Sequence, residues 1–243
     1  SWRHMCRSRT DHPTSCDVSV RDSARLTTHA RVALRKNLAR SVRAGHPWIF
    51  RDALKPGPEL DDGALVLLTT GDGRPLGRGF WTADGPIAVR MLTTDAADDI
   101  PALVRQRLTA ALERRLNGGG SPDGIDLART NAFRWVHGEA DLLPGMHLDV
   151  YGSYAAIRFD GAGARAFYRE LPFAIVEVGT RVNLRGLVER VPRKRNSPPT
   201  GGPSETTSTA LFGDLPPGEI EVLENGLRFG VDLAHGQKGG LFL

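Results

Sequence analysis

Apolar residues come in short bursts through the first half of the chain and fall at helical spacing over one long stretch. Ala64-Leu65-Val66-Leu67-Leu68-Thr69-Thr70 reads as a buried strand, and residues 76–82 and 87–92 supply two more. Asp72-Gly73 and Asp84-Gly85-Pro86 separate them, as hairpin turns do. Arg31-Val32-Ala33-Leu34 adds an earlier strand. Residues 35–44 read as a basic helix or turn, with Leu38 and Val42 four apart on one face. Several short strands joined by Gly-rich turns suggest a small barrel.

Helical periodicity is clearest over residues 100–117, where Ile100, Val104, Leu108, Ala111 and Leu112 share a face with Leu103 and Leu116. Asp98 and Asp99 favour the positive end of that helix, and Asn117-Gly118 ends it. Arg105, Arg107, Arg114 and Arg115 lie off the apolar stripe and read as a solvated face. Residues 118–124 form a linker, so a domain boundary is expected near residue 95 or in this loop. In the second unit, residues 146–151 and 154–159 make strands across Gly152-Ser153. A helix is expected at 162–171, ending near Pro172, and a strand at 181–191. Residues 192–209 are basic and rich in Pro, Ser and Thr, and read as a long loop. Residues 219–224 and 227–232, turned by Asn225-Gly226, make a last hairpin. The pattern as a whole is α+β.

Composition narrows the class. The chain is 40% hydrophobic and 25% charged, as soluble globular proteins are. No apolar run approaches the ~20 residues of a membrane span, and the first residues lack the apolar centre of a secretory signal. Cys6 and Cys16 imply no disulfide framework, so a cytoplasmic setting is expected. The net charge of +4 is uneven: residues 1–55 carry 12 Lys and Arg against 4 Asp and Glu. An anionic partner would dock at that end, although a basic leader that binds nothing has the same charge. Residues 1–29 lack periodicity and read as a disordered basic leader. His4, Cys6, His12 and Cys16 within it match no usual zinc spacing.

Candidate chemistry gathers in three places. Gly45-His46-Pro47-Trp48-Ile49-Phe50-Arg51-Asp52-Ala53-Leu54 sets aromatics among cations, which suits bases that stack and phosphates that pair. On a strand, Trp48 and Phe50 share a face, which is a stacking platform if exposed and barrel core if buried. Phe50 is expected in the core. The candidate RNA-binding residues are Arg43, His46, Trp48, Arg51 and Lys55. The second place, residues 134–145, holds His137, Glu139 and Asp141 in what reads as a loop. They could be an acid/base pair or hard-cation ligands. The reading preferred here is a structural loop whose carboxylates, with Asp149 nearby, accept hydrogen bonds. The third, Gly236-Gln237-Lys238-Gly239-Gly240, is a cationic turn that could cradle an anion but lacks phosphate-loop spacing. No catalytic residue and no metal site is assigned.

These stretches together resemble the bacterial ribosomal-RNA large-subunit cytosine methyltransferase family with an N-terminal PUA domain. The matching pieces are the His46 stretch, Gly77-Arg78-Gly79-Phe80, residues 134–145 with Asp149 and Tyr151, Glu224-Asn225-Gly226-Leu227 with Phe229, Val231 and Asp232, and Gly236-Gln237-Lys238. The resemblance implies a PUA-like RNA-binding barrel at 30–95, a helix and linker at 96–124, and a mixed α/β central domain at 125–235. Residues 236–243 would begin a Rossmann domain that binds S-adenosylmethionine and is otherwise absent. Lys238 and Phe242 would contribute to the cofactor-pocket wall. Gly239 stands where Thr is usual in relatives, and the catalytic residues have no counterpart. The expected chain grips ribosomal RNA without transferring a methyl group by itself. The alternative is a stand-alone RNA-binding module. No membrane partner is expected, and the oligomeric state is open, a homodimer included.

Overall fold

The computed structural model describes residues 30–118, 124–169, 171–191 and 207–234. Expectations for the leader and its His and Cys residues, for 192–206, and for the turn with Lys238 and Phe242 lie outside the described residues.

Five strands form the first sheet: β1 (Ala30–Ala33), β2 (Trp48–Phe50), β3 (Leu65–Thr69), β4 (Pro75–Trp81) and β5 (Ile87–Thr93). Their order is β1-β3-β4-β5-β2, with β1 parallel to β3 and the other pairs antiparallel. The outer strands meet just past their ends. Leu34 bridges Leu54, the Arg35 N–H donates to Ala53 O at 2.7 Å, and the Lys55 N–H donates to Ala33 O at 2.9 Å. That contact rolls the sheet into the expected small barrel and pairs edges that would otherwise stay open. Helix α1 (Ala39–Arg43) is shorter than its basic segment and drops Val42 into the barrel. The interior is aliphatic, with Leu34, Ile49, Val66, Leu68, Ala88 and Val89 buried together. Gly77 has φ +140°, and a Cβ there would strike the backbone of Thr93, beside a bulge between β4 and β5. The glycine lets the two backbones approach.

Helix α2 (Ile100–Leu116) starts where the Asp99 carboxylate accepts the Ala102 N–H at 3.2 Å, and Gly118 follows its end at φ +65°. The second sheet contains β6 (Ala132–His137), β7 (Met146–Tyr151), β8 (Tyr154–Phe159), β9 (Gly186–Val191) and β10 (Thr207–Phe212), in the order β10-β9-β8-β7-β6. Only β8 and β9 pair in parallel. Parallel neighbours need a crossover, which α3 (Ala162–Arg169) and α4 (Pro172–Gly179) provide. The hairpin of β11 (Ile220–Glu224) and β12 (Leu227–Val231) turns through Asn225 and Gly226, both at positive φ, as a two-residue turn requires. Its Val222 and Val231 cover Ala132, Tyr151 and Ala156 of the second sheet.

One large core joins the two sheets. Leu65, Phe80 and Leu92 of the barrel are buried with α2, α3 and the inner face of the second sheet. Phe80 stacks on Phe167 at 4.8 Å between ring centres and meets Tyr168 edge-on at 5.8 Å.

Four expectations need correction. Residues 134–137, read as the start of a loop, belong to strand β6. Pro172 opens α4 rather than only ending a helix, since proline fits the first turn, where no intrahelical N–H bond is lost. Residues 180–182 form a 3-10 turn and the strand begins at Gly186. Residues 207–209, read as loop, belong to β10. No helix among the described residues is long and apolar enough to cross a membrane.

Candidate nucleic-acid interface

Strand β2 lies at one end of the strand order and pairs with β5. Alternation sends Ile49 inward and Trp48 and Phe50 outward, where they stay 37% and 42% exposed. Phe50 is therefore not core: Ile49 occupies the inward position of this three-residue strand. Trp48 is held at both ends. Its backbone N–H donates to His46 Nδ1 at 3.2 Å, which leaves the proton of a neutral imidazole on Nε2. Its indole Nε1–H donates to Glu139 Oε1 at 2.7 Å. The same oxygen accepts from Arg90 Nη1, also at 2.7 Å. Glu139 lies in the second unit and thus fixes an aromatic on the barrel rim.

The cations lie along the same side of the barrel. A cleft of about 410 Å³ is lined by Arg35, Lys36, Arg43 and Arg74. A wider groove of about 1090 Å³ is lined by Arg31, Arg35, Arg51 and Lys55, with Trp81 and the acidic Glu59 and Asp61. Arg35 borders both, so the two are neighbours. Part of this charge is already engaged. Lys36 pairs with Asp52 at 2.5 Å and Arg74 with Asp72 at 2.9 Å. Arg51 donates to Gly85 O and Thr82 O and lies 5.0 Å over the Trp81 ring, so it holds the turn between β4 and β5. Lys55 Nζ makes one bond, to Gly71 O at 2.8 Å. Arg31, Arg40 and Arg43 have no side-chain partner among the described residues. Sequence reasoning singled out Arg43 and Lys55 but missed Arg31, Arg35 and Arg74. They come together only when β1 and the turn after β3 meet in the barrel.

The carboxylates of Asp141 and Asp149 are held by arginines. The Asp141 side chain is 2% exposed and accepts Arg115 Nη1 and Nη2 at 2.6 and 2.7 Å, Arg114 at 3.2 Å and the His137 N–H at 2.7 Å. Burial pushes its carboxyl pKa up, but the Arg115 bonds, the His137 N–H and the two guanidinium charges outweigh that and hold it below the usual carboxylate value. Arg114 and Arg115 are therefore not a free solvated face, because they clasp α2 to this loop. Asp149 accepts two bonds from Arg134, at 2.7 and 3.0 Å. Among the described residues, no three His, Cys, Asp or Glu side chains are grouped to hold a metal ion. Lys238 and Phe242 lie outside the described residues, so no cofactor contact is assigned.

Rolled barrel, exposed aromatic rim and basic groove define the class: residues 32–94 match the PUA-like domain family. Along most of its length the chain is similar to ribosomal RNA large subunit methyltransferase I of Alteromonas mediterranea. The two are 33% identical over 220 residues, covering 88% of this chain and 51% of the relative. The protein of the same name from Tolumonas auensis is 30% identical and is likewise covered over 51% of its length. The resemblance to PUA-containing large-subunit rRNA methyltransferases read in the sequence therefore holds. Among solved structures, a protein from Streptococcus mutans assigned as a SAM-dependent methyltransferase shares the fold with a TM-score of 0.64 at 20% identity, over 88% of this chain and 51% of that one. SMU.776, assigned as a methyltransferase and solved with SAH, aligns with a TM-score of 0.63. The chain spans about half the length of the curated relatives it matches.

Proposed function

We propose that residues 30–234 are the RNA-gripping part of an S-adenosylmethionine-dependent methyltransferase that acts on large-subunit ribosomal RNA, with a cytosine as target. Arg43, His46, Trp48 and Lys55 contact the RNA, and Arg51 shapes the groove wall. In this reading residues 30–234 hold the RNA and transfer no methyl group by themselves. The observation that carries the reading is the basic groove, with Arg31 and Arg43 unpartnered among the described residues, on the barrel whose rim exposes Trp48 and Phe50. Guanidinium groups without a protein partner are available to phosphates, and fixed aromatics beside them are available to bases. The names of the relatives supply the ribosomal substrate and the methyl transfer.

The test is equilibrium binding of the full chain to large-subunit rRNA fragments, with methyl incorporation measured in parallel. Trp48→Ala is expected to weaken binding at least about tenfold, the loss of one base stack. Methyl incorporation is expected to stay at background. Equal binding by Trp48→Ala would remove the aromatic part of the reading, and incorporation by the chain alone would remove the division of labour.

A further inference from the structure

Beside the basic cleft, on the other side of α1, lies a pocket of about 200 Å³ between the barrel and the second unit. Val42 and Gly45, which flank Arg43 in the sequence, line it, while Arg43 itself lines the cleft, so the two are neighbours. We propose that this pocket receives a single unpaired nucleobase of the bound RNA. The inference rests on the RNA-binding reading and adds a site to it.

Size is the first argument. The pocket is below the ~300–1,000 Å³ typical of sites that take a whole drug-sized ligand, so it suits a fragment such as one flat heterocycle. Its walls and edges are the second. Pro47, Leu142 and Pro144 give apolar surface for ring faces, while His46, Arg107 and Glu139 offer polar edges. The hydrogen-bond pattern leaves those edges available. His46 Nδ1 already accepts the Trp48 N–H, so Nε2–H faces outward as a donor. Arg107 spends Nη1 on Leu142 O at 2.6 Å and keeps its other N–H groups. Glu139 receives both of its bonds on Oε1, leaving Oε2 as an acceptor. Donors and an acceptor around a slot with apolar walls match the polar edge and the faces of an unstacked base. Leu142 is the third argument. It is 61% exposed and sits at φ +59°, a conformation that non-glycine residues seldom adopt. A large apolar side chain held in solvent by a strained backbone gains a contact when a base enters.

The site also explains Glu139. One carboxylate anchors Trp48 on the rim and lines the adjoining pocket, so a base stacked on the indole and a base in the pocket are sensed by the same group.

The experiment compares the full chain with Thr94→Phe, which places a ring in the pocket from an exposed position. Binding is measured to single-stranded RNA and to a duplex of equal length, each over a range of salt. Thr94→Phe is expected to weaken single-strand binding about tenfold, to leave duplex binding within twofold, and to keep the salt slope of the wild type. Single-strand affinity unchanged, or both RNAs weakened equally, overturns the pocket proposal. A wild type that binds neither RNA overturns the RNA-binding reading instead. Should Thr94→Phe fail to fold, photocrosslinking of thiouridine-bearing RNA to the wild type decides. Crosslinks in the segments around His46–Pro47 or Leu142–Pro144 support the pocket, and crosslinks confined to other segments overturn it.

Discussion

Asp141 illustrates how a residue that looks chemical can be structural. It closes a 3-10 turn over Gly138–Asp141, and its arginine donors come from a helix more than twenty residues earlier in the chain. With its carboxylate 2% exposed and met by Arg115 on both oxygens, removal of the acid leaves buried positive charge uncompensated. We expect Asp141→Ala to destabilise the protein by about 3–5 kcal/mol in urea unfolding. The sign with pH follows from the direction of its shift. A folded pKa below the unfolded value of about 3.9 means the contribution is fully present above that pH and is lost as pH falls through the folded value. Wild type should therefore lose stability on acidification below about pH 4, and Asp141→Asn should lose less over the same interval. The structural role was legible in part, because an isolated His, Glu and Asp without a further ligand or nucleophile argued against an enzyme. The identity of the donors was not legible, since Arg114 and Arg115 read as an ordinary polar helix face. Arg51 is a related case: a cation beside aromatics suggested phosphate, and two of its donors, Nε and Nη2, bond carbonyls instead.

Elements marked by turn chemistry were the most legible. Asp72-Gly73, Asp84-Gly85-Pro86 and Asn225-Gly226 each mark a hairpin found in the fold. Those that were missed, β6, α4 and β10, lack such punctuation or carry a misleading one. Pro172 reads as a stop but serves as a helix start, and β10 follows directly on a Pro/Ser/Thr-rich stretch that hides its β-branched residues. How elements dock depends on side-chain packing that no local pattern encodes. Helix α3 lies against β4 at Gly163, where an added Cβ would strike Thr82 Oγ1 and the Trp81 carbonyl. Glu189, 1% exposed, is met from α3 by Arg165 Nε at 2.5 Å. Gly163→Ala should push this helix off the barrel and cost about 1–3 kcal/mol, read as a lowered thermal midpoint. Gly73→Ala, whose Cβ would meet nothing within 4 Å, serves as a control for turn strain alone.

Across the whole molecule, barrel and second unit share one core through Phe80, Phe167 and Tyr168, and Arg90 links them by bonds to Glu139 and to Asp160 O. RNA bound along the barrel as proposed would meet side chains from both units. The charge asymmetry of the sequence falls on the end of the chain that folds into the barrel, but the path of the groove depends on β1 closing against the segment after β2. The most direct measurement is the salt dependence of RNA binding by the full chain and by the double variant Arg31→Glu/Arg43→Glu, both guanidinium groups being without a partner among the described residues. Wild-type affinity should fall steeply between about 50 and 200 mM salt. The double variant should bind more weakly and with a shallower slope, by roughly one unit for each phosphate that is no longer neutralised. A flat salt response in the wild type, or a double variant with unchanged affinity and slope, would contradict the assignment of this face to RNA.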